Sequence, residues 1–131
     1  MKHIIFKDKY PVWSIELKKS EVEQDSVDEI IEYFKTKIEN HPIGTFIAIF
    51  DHYAHTTSIP EHKVADEIKA LKNIIFCFGK EIPKPIVGAV RPRSISVCEL
   101  EDTFEISSME APNEVMNEVM QNWAIELKKS I

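Results

Sequence analysis

The sequence predicts an α+β fold: a mixed β-sheet with three helices packed on it in a two-layer sandwich, including one β-α-β crossover. Three observations carry that expectation. Residues 46–50 and 74–78 are apolar on both alternating faces, the pattern of strands covered on each side. Two longer stretches, starting near Ser26 and Pro112, repeat apolar residues at the three-and-four spacing of an amphipathic helix. Between the two apolar strands lies enough chain for a helix, and the order strand, helix, strand implies parallel pairing through a right-handed crossover. No linker, repeat or low-complexity stretch interrupts the 131 residues, so one α+β domain spanning 1–131 is expected.

Taken in order, residues 2–6 and 12–17 read as two strands. In the second, Trp13, Ile15 and Leu17 alternate with Ser14, Glu16 and Lys18, and the turn before Pro11 makes the pair a hairpin. Ser26 and Glu29 fit a capping box, after which Val27, Ile30, Ile31, Phe34 and Ile38 form one apolar stripe that ends before Asn40 and Pro42. The strand at 46–50 follows, and its apolar run stops abruptly at Asp51, His52, Tyr53 and His55. A second helix is expected after Ser58, with Glu61 completing its cap and Val64, Ile68 and Leu71 turned inward. Gly79 ends the next strand, and Pro83 and Pro85 exclude a helix interior from the connector beyond it. Residues 86–90 and 94–100 read as strand interrupted at Pro92, and 103–107 as a further strand reached by a tight hairpin at Glu101 and Asp102. The last helix, 112–129, places Val115, Met116, Val119, Met120, Trp123, Ala124 and Leu127 on one side.

Composition narrows the function classes. With 44% hydrophobic and 29% charged residues the chain is expected to fold as a soluble protein. A formal charge of −6 opposes non-specific attraction to nucleic acid or anionic lipid, so neither is expected as a partner. The first apolar run breaks after Phe6, too early for a signal peptide, and no stretch approaches membrane-spanning length, so a cytoplasmic location is expected. Cys77 and Cys98 lack metal-binding or redox spacing and read as two buried thiols of a reducing compartment.

Two clusters can carry chemistry. Asp51, His52 and His55 combine a carboxylate with two imidazoles three residues apart, a set able to ligate a divalent transition metal through His52 and His55 or to act as a general base. Arg91 and Arg93 are the only arginines, and residues two apart in an extended segment point the same way. Such a pair can grip a carboxylate or phosphate with forked hydrogen bonds that lysine cannot match. A parallel pairing of the two apolar strands would add Lys80 to the Asp51, His52 and His55 edge. The expected function is therefore a non-enzymatic binding module for an anionic or amphipathic small ligand, held between the sheet and the Met-rich final helix by Asp51, His52, His55, Lys80, Arg91 and Arg93. No resident cofactor is expected. The alternative is a small metal- or His-dependent enzyme using Asp51, His52 and His55. With only three glycines there is little room for a nucleotide-cradling loop, and no nucleophile elbow or closed metal motif occurs, which favours the binding module. A homodimer is a further expectation, since the stripe of the last helix can cover either the sheet or a second subunit.

Overall fold

The computed structural model describes residues 1–129, and in it the alternation read from the sequence becomes a six-stranded sheet. The strands are β1 (Lys2–Phe6), β2 (Tyr10–Lys18), β3 (Gly44–Asp51), β4 (Ala70–Phe78), β5 (Arg93–Glu99) and β6 (Thr103–Met109), and the helices are α1 (Val27–Glu39), α2 (His52–Thr57), α3 (Val87–Val90) and α4 (Glu114–Ile125). The strands lie in the order β1-β2-β6-β5-β4-β3. Each neighbouring pair is antiparallel. The expected mixed sheet is thus corrected to an antiparallel one, and among the described residues four α-helices stand where three were expected.

Local chemistry explains the elements that match expectation. Ser26 Oγ accepts from the Glu29 backbone N–H at 3.2 Å, and Glu29 in turn accepts from the Asp25 N–H, so α1 begins where its donors are satisfied. The whole predicted stripe, Val27, Ile30, Ile31, Phe34 and Ile38, is buried. At α4 the cap is Asn113, whose Oδ1 accepts from the Val115 and Met116 N–H groups, so Pro112 precedes the helix instead of opening its first turn, and the helix ends at Ile125 instead of 129. Both long helices contribute to a single apolar cluster with the inward residues Leu17, Ile74, Phe76, Phe78, Ile95, Val97, Phe104 and Ile106. Burial of alternate strand residues against α1 and α4 supplies the main stabilisation. Met120 and Trp123 lie in this core and Met116 packs on its margin, whereas Met109 ends β6 and is half exposed. On the opposite face Ser14, Ser107, Ser96 and Asn73 stand side by side as a polar row across four strands, with Ser14 buried. Cys77 and Cys98 are free and only partly buried.

The crossover is the expectation that fails. Asp51 Oδ1 accepts from the Ala54 N–H at 2.9 Å and starts a helix at His52, while the helix expected after Ser58 does not form: 58–69 are turns and irregular chain, and Leu71 lies in β4. Ser58 is the C-cap of that helix, and the Thr57 and Ser58 hydroxyls donate back to the carbonyls of Tyr53 and His55. The helix is only six residues long, and the irregular stretch beyond it runs to the start of β4 at Ala70. The chain instead re-enters the sheet beside the point where it left, with Lys72 opposite Asp51. With β4 as its only neighbour in the sheet order, β3 is an edge strand. Ile47, Ile49 and Phe50 are 50%, 47% and 39% exposed, so apolarity on both faces did not signal full cover. Residues expected as strand at 86–90 form the short α3, which follows the prolines of the connector.

Tyr33 couples the two long helices, its hydroxyl donating to the Trp123 carbonyl at 2.7 Å. Desolvation, and then the negative charge of Glu126, push its pKa up to about 12 from 10. Between about pH 10 and about 12 the unfolded chain would hold fewer protons than the folded one, so stability is fully present below pH 10 and falls as pH rises through that window. Because Tyr33 is partly exposed, the expected loss is only on the order of 1 kcal/mol. Urea unfolding of wild type and Tyr33→Phe at successive pH values checks it: the substitution should flatten the slope in that window, and identical slopes would refute the assignment.

Candidate functional site

Antiparallel pairing of β3 and β4 divides the residues that the sequence suggested would meet. Asp51 lies opposite Lys72, whereas Gly44 at the other end of β3 lies opposite Phe78. Asp51, His52 and His55 therefore occupy one end of the sheet, and Gly79, Lys80, Arg91 and Arg93 the other. At the first end Asp51 is committed to capping α2 and sits 3.8 Å from Lys72, which also contacts Asp28 at 2.6 Å. His52 and His55 both lie against the Phe50 ring, at centroid distances of 5.2 and 5.4 Å. This stacking covers part of an exposed edge residue. Among the described residues no group of three or more His, Cys, Asp or Glu side chains could hold a metal ion.

The second end is built from four chain segments. The start of β3, the end of β4, the start of β5 and the entry to α4 converge there, because strands in an antiparallel order alternate direction. They form a partly open cavity of about 160 Å³ lined by Ile43, Phe78, Gly79, Val90, Arg91, Arg93, Ala111, Pro112, Asn113 and Met116. Phe78 and Ala111 are buried at its base, while Met116 is partly buried on the α4 side. Both predicted arginines reach this cavity. Lys80 does not line it; with Arg91 it borders a neighbouring, wider groove of about 520 Å³ that also includes Cys77, Glu81 and Ile82.

The two guanidinium groups are held by backbone oxygens. Arg91 Nη1 donates to the Glu81 carbonyl at 2.8 Å, and Arg93 donates through Nη1 to Val90 at 3.3 Å and through Nη2 to Met109. Among the described residues neither arginine pairs with a carboxylate, although lysines account for nearly every ion pair. Burial lowers the pKa of Arg93, and its Nε is buried without a hydrogen-bond partner. A charge removed from water without a counter-ion favours the arrival of an anion.

Gly79 makes room for this arrangement. Its φ is +130°, a conformation that side chains disfavour, and a Cβ placed on it would stand 2.7 Å from Arg91 Nη1 and 2.9 Å from Cζ. The sequence marked Gly79 only as the end of a strand. Ile43, Val90 and Asn113 carried no signal as site residues, because only the convergence of distant segments brings them together. Asn117 shapes the α4 side: it is buried, and its Oδ1 accepts from the Ala111 N–H at 3.1 Å, fixing the chain between β6 and α4.

Compared with known protein families, residues 1–129 match a family of unknown function (DUF6858), and the chain belongs to that family. No curated protein and no solved structure matches it. Among the described residues no helix is long and apolar enough to cross a membrane.

Proposed function

We propose that this DUF6858 protein is a non-enzymatic binding module for a small anionic ligand, which it takes up at the Arg91 and Arg93 cavity beside the start of α4. One observation carries the reading: the only two arginines of a chain with net charge −6 line the same cavity, and neither is paired with a carboxylate among the described residues. In an acidic protein, guanidinium groups that meet backbone carbonyls but no carboxylate among the described residues call for a reason, and recognition of an anion supplies one. Asp51, His52 and His55 stand at the far end of β3 and take no part in this site.

Calorimetric titration with a panel of small anions, including inorganic phosphate and short-chain carboxylates, tests the reading. At least one should bind in a one-to-one ratio, and Arg91→Ala with Arg93→Ala should weaken it at least about tenfold. Arg91→Lys serves as the milder variant, keeping the charge but losing the fork. No binding by any panel member, or equal binding by a folded double variant, would refute the proposal.

A further inference from the structure

We infer that the anion is a single carboxylate carried on an apolar body of about six to eight carbon atoms, an aromatic or medium-chain monocarboxylic acid. This rests on the reading of the Arg91 and Arg93 cavity as an anion site and adds what the rest of the ligand must be. Size gives the first constraint. The cavity is about 160 Å³, close to the roughly 150 Å³ that accommodates benzene in an apolar protein interior, and well below the roughly 300–1,000 Å³ of sites for drug-sized molecules. A nucleotide would not fit wholly inside it.

The walls give the second constraint. Ile43, Phe78, Val90, Ala111 and Met116 present hydrocarbon and a thioether, and the flexible Met116 side chain can adapt to ring or chain. Burying an apolar body against them gains about 25 cal/mol per Å², which a small inorganic ion cannot exploit.

The available donors give the third. A phosphate dianion at a helix start ordinarily uses backbone N–H groups. Here the Val115 and Met116 N–H groups already donate to Asn113 Oδ1, at 2.9 and 3.2 Å, so α4 offers neither to a ligand. The guanidinium donors that backbone carbonyls do not take remain, Nε and Nη2 of Arg91 and Nε of Arg93. One fork matches the two oxygens and one charge of a carboxylate, whereas a phosphate would enter with oxygens left unsatisfied against hydrocarbon.

Calorimetry on the full chain with hexanoate, benzoate, acetate, benzyl alcohol and inorganic phosphate tests the inference, with Arg91→Ala and Arg91→Lys as variants whose folding is checked by circular dichroism. Hexanoate or benzoate should bind at least about tenfold more tightly than acetate, benzyl alcohol or phosphate, and should lose about tenfold or more in either arginine variant. Phosphate binding as tightly as hexanoate, with the same dependence on Arg91, would overturn the apolar acid while leaving the anion site standing. Equal affinity for acetate and hexanoate would do likewise, since the tail would then go unread. Failure of every anion to bind would remove both.

Discussion

Phe76→Ala is expected to destabilise the protein by about 3–5 kcal/mol, while Ile49→Ala costs about 1 kcal/mol or less. The two residues look alike in the sequence, each central to an apolar strand. Phe76 is fully buried in β4, its ring edge-on to Phe78 at 5.3 Å and near Trp123 at 6.3 Å. Truncating it opens a cavity between the sheet and α4 that rigid neighbours cannot fill. Ile49 lies in the edge strand β3 and is 47% exposed, so its truncation leaves mostly solvent behind. A loss of 3–5 kcal/mol is a large share of the roughly 5–15 kcal/mol that holds a domain folded. Urea unfolding of both variants provides the check. Equal shifts in midpoint would contradict the edge position of β3.

Gly79→Ala is expected to reduce anion affinity at the arginine cavity by about tenfold or more while costing on the order of 1–3 kcal/mol of stability. The added methyl would stand 2.7 Å from Arg91 Nη1, so the guanidinium must shift from its place over the glycine, which disturbs its bond to the Glu81 carbonyl. The positive φ adds backbone strain that the arginine cannot relieve. Binding measured on variants that still unfold cooperatively separates the two effects: lost affinity with retained folding supports the positioning of Arg91 by Gly79. Unchanged affinity would show that Arg91 does not need this approach.

The sequence by itself determined the local elements. The capping oxygen of Ser26 and the stripe from Val27 to Ile38 specify α1 almost to its ends, because a helix is decided by contacts within a few residues. The alternation of Trp13, Ile15 and Leu17 with Ser14 and Glu16 likewise specified β2 and, with the turn before it, the hairpin to β1. The arginine pair stood out because residue type alone separates a guanidinium fork from an ammonium. Only the tertiary structure decided the direction of β4 relative to β3. Periodicity records which residues are apolar but not which neighbour covers them, so the exposed β3 and the buried inner face of β4 carried the same signature. The start of α2 turned on a choice between two capping residues, and the Asp51 bond to Ala54 settled it in a way that propensity does not rank. The antiparallel pairing of β3 with β4 then separates His52 and His55 from Arg91 and Arg93. The cavity itself joins residues from 43 to 116, and contacts between segments so far apart in the chain leave no local pattern to read.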